Sequence, residues 1–149
     1  MTRALAGLAL AAFLAGTSGA APALAKDRVV RLLLDGRPLD RPGAQVALLH
    51  GGVVYGDVVD LVKAFSGLLT FHGKAVWVTV GDTYAIYTAG SRTARVDRYS
   101  VDLPGRCFMR NGDLYVPLSA FVQVAKAKLR VNPAHTQADI IVNANPLDE

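Results

Sequence analysis

Apolar and polar positions alternate with a period of two along much of the chain, and twice the period lengthens to about 3.6. Val29 to Leu34 reads as a strand that ends at the turn Asp35-Gly36 and is followed by Arg37-Pro38-Leu39. Leu68 to Phe71, a turn at His72-Gly73-Lys74, and Ala75 to Val80 read as a hairpin, and Gly81-Asp82 turns the chain into Thr83 to Thr88. In Ala75 to Val80 the three valines, Val76, Val78 and Val80, share one face, and Trp77 shares the other with Ala75 and Thr79. The valine face is the expected core side, which leaves Trp77 on the less apolar face.

Leu49 to Val58 aligns without a gap on Met109 to Leu118, an offset of 60 positions that keeps Gly52/Gly112, Tyr55/Tyr115, Val62/Val122 and Leu69/Leu129 identical. Gly51-Gly52 and Asn111-Gly112 each sit between apolar runs and accept the positive φ of a two-residue hairpin turn. After each tyrosine the period changes. Val58, Leu61, Val62 and Phe65 form one helical stripe, with Asp57 as the expected N-cap and Gly67 as the expected stop. Leu118, Phe121, Val122 and Ala125 form the second stripe, where Pro117 suits the first helical position and Lys126 and Lys128 suit the C-terminal end of the dipole. Lys128 to Val131 and Ile140 to Val142 close the second unit. The expected fold is α+β, an antiparallel sheet carrying two short helices from a duplicated hairpin-helix-strand unit, with the repeat at about 49–88 and 109–143.

The first 25 residues break this pattern. Met1-Thr2-Arg3 precedes an apolar run from Ala4 to Ala15, and Ala23-Leu24-Ala25 closes the segment with small residues at the cleavage positions. That is the layout of an export signal, with an apolar run too short to span a bilayer. The remaining 26–149 reads as a single domain. Over the whole chain Lys+Arg number 16 and Asp+Glu 12, and loss of Arg3 with the leader lowers the net charge from +4 to +3. The arginines are scattered and interleaved with Asp27, Asp35, Asp40, Asp97 and Asp102, so no continuous phosphate-tracking stripe forms, and nucleic acid is not an expected partner. A polyanion of the cell wall remains compatible with a locally basic face.

The run Val30-Arg31-Leu32-Leu33-Leu34-Asp35-Gly36-Arg37-Pro38-Leu39, the segment Asn111-Gly112-Asp113-Leu114-Tyr115-Val116-Pro117-Leu118-Ser119-Ala120-Phe121 and the closing Leu129-Arg130-Val131-Asn132 resemble the copper amine oxidase N-terminal-like domain, also called the stalk domain. The resemblance covers roughly residues 28 to 143. Asp113 and Ser119 stand where the family pattern Asn-Gly-Arg-x-Tyr-Val-Pro-Leu-Arg has its two arginines, and Gly56-Asp57-Val58 replaces Val-Pro-Leu in the first copy. The resemblance implies an accessory module of exported bacterial proteins, named after an appended domain of the oxidases and not after a copper site. The oxidase's own Asn-Tyr-Asp/Glu quinone signature and its His-x-His copper pair are missing from the sequence.

Candidate chemistry is sparse. His50, His72 and His135 adjoin turns and lack the spacing that puts two imidazoles on one metal. Cys107, the one cysteine, excludes an intramolecular disulfide; its arginine neighbourhood would favour the thiolate, but with no resolving cysteine and no histidine partner in sequence it reads as a packed, half-buried strand thiol and not as a nucleophile. Asp57 and Asp60 are explained as a cap and a solvated helix position. No catalytic residue, metal site or cofactor is therefore expected. Binding candidates are aromatic: Trp77, Tyr84 and Tyr87, whereas Tyr55 and Tyr115 recur with the repeat and read as structural. The expected function is an exported, non-catalytic module that binds a cell-wall or extracellular ligand or partner protein. A small secreted enzyme or metal-binding protein built on the histidines or Cys107, and a stalk that dimerises through an exposed sheet edge, are the alternatives.

Overall fold

The computed structural model describes residues 27–39 and 46–142; the expected leader at 1–25 lies outside them. Fourteen strands and two helices are found among the described residues, so the α+β expectation holds, but the strands form three sheets where one was expected.

The first sheet holds β1 (Arg28–Val29), β4 (Ala47–His50), β5 (Val53–Asp57), β11 (Phe108–Arg110) and β12 (Asp113–Pro117) in the order β1-β4-β5-β12-β11. It is built from two hairpins. Their turns carry positive φ at Gly51 (58°), Gly52 (81°), Asn111 (53°) and Gly112 (84°), the shape that two-residue connections between twisted strands favour. The hairpins join through β5 and β12, where Tyr55 faces Pro117, Gly56 faces Val116 and Asp57 faces Tyr115.

Helix α1 (Val58–Ala64) follows β5, and α2 (Leu118–Val124) follows β12. Every bound of β5 and α1 recurs 60 positions later in β12 and α2. Asp57 caps α1 as expected, its carboxylate accepting from Val59 N–H at 3.0 Å. Pro117 is itself the cap position of α2, one residue before the helix, and offers no side-chain bond. Both helices end alike: Ser66 and Lys126 each take φ of 55°, and the next N–H, of Gly67 or Ala127, reaches back to Val62 or Val122. The left-handed residue is thus Ser66 and not the expected Gly67. Gly67 is instead held by space, since a Cβ there would lie 2.5 Å from the Thr79 carbonyl oxygen.

The second sheet has the order β10-β9-β8-β7-β6, from β6 (Leu68–His72), β7 (Ala75–Val80), β8 (Thr83–Thr88), β9 (Thr93–Val96) and β10 (Tyr99–Asp102). All its pairings are antiparallel. The β9–β10 hairpin was absent from the sequence reading. Val76, Val78, Ala85, Tyr87 and Ala94 point inward into one core with Leu61, Val62, Leu118 and Phe121 of the helices. Each large aliphatic side chain so buried contributes about 1.5–3 kcal/mol relative to exposure.

A third sheet, β13-β14-β2-β3, brings the chain ends together: β2 (Arg31–Leu34) pairs with β3 (Arg37–Pro38) and, in parallel, with β14 (Gln137–Ile141), which pairs with β13 (Lys128–Val131). The expected strand Val29 to Leu34 is therefore divided at the fully buried Val30, whose N–H bonds Ala47 in the direction of the first sheet while Arg31 begins the third. The last strand starts at Gln137, not at Ile140, because it follows Arg31 to Leu34 in register.

Candidate functional site: the outer face of the second sheet

Period-two alternation in β7 buries Val76, Val78 and Val80 and turns Trp77, 51% exposed, to the opposite face. The register then fixes its neighbours. Thr70, Trp77, Ile86, Arg95 and Ser100 stand directly opposite one another on the five successive strands, a row spanning roughly 19 Å at about 4.8 Å per strand. Thr79 and Tyr84 face each other in the adjacent row, and Tyr84 is 41% exposed. His72 packs its ring against Trp77 at 4.7 Å between centroids.

A groove of about 720 Å³ lies on this face, lined by Trp77, Thr79, Tyr84, Ile86, Asp82 and Arg95. Ile86 and Arg95 also line an adjoining depression of about 460 Å³ whose other walls include Thr88, Ser91, Thr93 and Arg98. The face therefore grades from rings at one end to hydroxyls and guanidinium groups at the other. Asp82 pairs with Lys126 at 3.1 Å, and this contact holds its carboxyl below the usual range. Arg95 and Arg98 form no ion pair with a described residue.

Tyr87 does not belong to this surface. It lies three positions from Tyr84 in the same strand, so alternation sends it to the inner face, where it is 0% exposed, and it cannot touch a ligand. Its hydroxyl has no hydrogen-bond partner among the described residues, and burial raises its pKa.

Cys107 is fully buried, not half-buried, and lies just before β11 instead of within a strand. Its N–H donates to the Ser91 carbonyl and its carbonyl accepts from Gly90 N–H. Burial pushes its thiol up to about 12, the reverse of the activation that the nearby arginines suggested. Arg106 donates to the Gly90 carbonyl at 2.9 Å, so its charge is spent on the same tether. Tyr55 and Tyr115 are structural in the expected sense: the Tyr55 hydroxyl donates to the Arg106 carbonyl at 2.8 Å, and Tyr115 stacks on Phe108.

The histidines fall in separate places. His50 bonds Asp27 at 2.7 Å and packs on Tyr55 and Phe108, His72 lies beside Trp77, and His135 sits in the turn before β14. Among the described residues no three His, Cys, Asp or Glu side chains form a group that could hold a metal ion. Asp27 also pairs with Arg110; burial opposes ionisation, but the bonds to His50 and Arg110 outweigh it and lower the Asp27 pKa.

Residues 35–140, more than two thirds of the chain, match the profile of the copper amine oxidase N-terminal domain. The chain belongs to that family. No curated protein and no solved structure matches it. The copper amine oxidase N-terminal domain is a non-catalytic accessory domain, and the residues that mark the family here are accounted for by folding. Asn111-Gly112 forms the β11–β12 turn, Tyr115 and Val116 are buried in β12, and Leu118 opens α2 facing the core. None of the face residues Trp77, Tyr84, Ile86 or Arg95 lies in those marker segments. Arg95 and Arg98 were missed in the sequence reading; the alternation of Thr93-Ala94-Arg95-Val96 was the available signal, with the Asp97-Arg98 turn after it. No helix among the described residues is long and apolar enough to cross a membrane.

Proposed function

We propose that this protein is an exported, non-catalytic accessory module that binds a cell-wall or extracellular ligand through the outer face of its second sheet. The reading rests on one observation above all. Trp77, a large ring that costs free energy to expose, stands half-exposed on β7, an interior strand of a five-stranded sheet, beside Tyr84 and Ile86 of β8, while the opposite faces of β7 and β8 are buried. The Met1 to Ala25 segment supplies the route of export. The 60-residue recurrence of β5–α1 in β12–α2 supports a scaffold made from two copies of one unit, with the binding face added on the strands between them.

Retention of the purified protein on isolated cell-wall material, compared with Trp77→Ala, tests this reading. Wild-type retention that the variant loses supports it, and absence of wild-type retention at low salt contradicts it. Leu68 (75% exposed) and Phe71 (47%) on the edge strand β6 favour a second reading, a homodimer paired through that edge. Sedimentation as a monomer at every concentration would exclude it.

A further inference from the structure

We infer that the outer face of the second sheet is a site for an acidic glycan, with sugar rings seated on Trp77 and Tyr84 and a carboxylate held by Arg95 and Arg98; this rests on the binding reading above and names its ligand class.

The face combines three features. Trp77 and Tyr84 offer ring surfaces at one end, with Ile86 between Trp77 and Arg95 in the same cross-strand row. Hydroxyl groups from Thr70, Thr79, Thr88, Thr93 and Ser100 are interleaved with them on the outward positions of the five strands. Arg95 and Arg98 supply positive charge that no described carboxylate neutralises by an ion pair. A pyranose matches the first two features, since it presents an apolar face to a ring and hydroxyls around its edge. A carboxylate matches the third, because a guanidinium binds it through two parallel hydrogen bonds.

A peptide fits less well. Extended peptides are recognised at sheet edges, where unpaired N–H and C=O groups are available, and the interior strands β7, β8 and β9 have both neighbours in place. Trp77 and Arg95 stand two strands apart, about 10 Å. That separation suits successive sugars of a chain better than a single ring.

Affinity electrophoresis or calorimetry of the purified protein against polygalacturonate and against its fully methyl-esterified form tests the assignment, since the two share a backbone and differ in charge. Tighter binding of the acidic form by at least tenfold is expected, with that preference removed by Arg95→Ala combined with Arg98→Ala and overall binding weakened at least tenfold by Trp77→Ala. The acidic preference is also expected to fade as salt is raised. Equal binding of the two polymers would overturn the acidic assignment while leaving a glycan-binding Trp77 face intact. Binding to neither, together with wall retention that depends on Trp77, would overturn the glycan class and leave the broader binding reading standing. Concentration-dependent self-association lost in Trp77→Ala would show that a second copy covers the face, and would overturn it as well. Equal retention on polyphosphate would reduce the arginines to unspecific charge and overturn it too. Circular dichroism and an unchanged unfolding midpoint confirm that each variant is folded.

Discussion

Gly56 and Val116 face each other at the centre of the β5–β12 pairing, and on either side Tyr55 meets Pro117 and Asp57 meets Tyr115. Under the 60-residue offset Tyr55 corresponds to Tyr115 and Asp57 to Pro117. The two hairpin-helix units are therefore joined about a local two-fold that passes through this one pair. The pair is unequal in size because the helices crowd one side of it: a Cβ at Gly56 would lie 2.8 Å from Leu118 Cδ2 and 2.8 Å from Leu61 Cδ1.

Gly56→Ala is therefore expected to destabilise the protein by about 1–3 kcal/mol, as overpacking of a filled core does. The ~0.5–1 kcal/mol that alanine ordinarily gains over glycine in chain entropy offsets only part of this. Urea unfolding measures it. An unchanged midpoint would mean that Leu61 and Leu118 find other rotamers at no cost.

Tyr87 carries a buried hydroxyl without a partner among the described residues. Removing an unsatisfied polar atom while keeping the ring spares a penalty of about 1–3 kcal/mol, so Tyr87→Phe is expected to be neutral or stabilising. Ligand retention should not change, because the ring faces the core. A variant less stable than wild type by more than about 1 kcal/mol would show that the hydroxyl makes a bond in solution.

The local elements were legible in the sequence because short-range chemistry sets them: paired residues able to take positive φ at the hairpin turns, Asp57 at a cap, and three valines on one side of β7. The arrangement of sheets was not. Val30 lies in an unbroken apolar run, and nothing local says that its two sides pair with different sheets. The parallel contact of β2 with β14 is made between residues about a hundred positions apart, as in Arg31 and Gln137. Trp77 was placed on the correct face by alternation alone, and the same rule separates Tyr84 from Tyr87, which the sequence reading had grouped. Arg95 entered the site only through the β9 register. At Cys107 the packed reading holds for a reason that lies outside the local sequence: its arginine neighbours would favour a thiolate, and tertiary burial, complete where a half-buried position is expected, decides its state.

The thiol of Cys107, pushed up to about 12 by burial, should be inert toward a disulfide reagent in the folded protein at pH 8. In denaturant one thiol per chain should react at once. Fast native labelling would bring back the nucleophile reading that the fold removes.

Asp57 and Asp27 should give the stability curve opposite slopes in two pH windows. Asp57 is buried at the head of α1, and desolvation, followed by the charges of Asp113 and Asp60, raises its pKa from 3.8 to about 6. Between these values the folded state binds the proton that the unfolded chain has released, so stability falls as pH rises from about 4 to about 6. One pKa unit corresponds to about 1.4 kcal/mol, which puts the swing on the order of 2–3 kcal/mol. Asp57→Asn keeps an acceptor for Val59 N–H and should flatten this slope. Asp27 behaves in the reverse sense. Its pKa is lowered below 3.8, so its pairing with His50 and Arg110 is present above that value and is lost as pH falls through the folded pKa. Wild type should therefore be most stable near pH 4, with Asp27→Asn removing part of the loss on the acid side and Asp57→Asn part of the loss on the other. Chemical denaturation at half-unit pH steps separates the two, and a wild-type curve that rises steadily from pH 4 to pH 6, with the same slope in Asp57→Asn, would contradict the buried, proton-binding carboxyl at the head of α1.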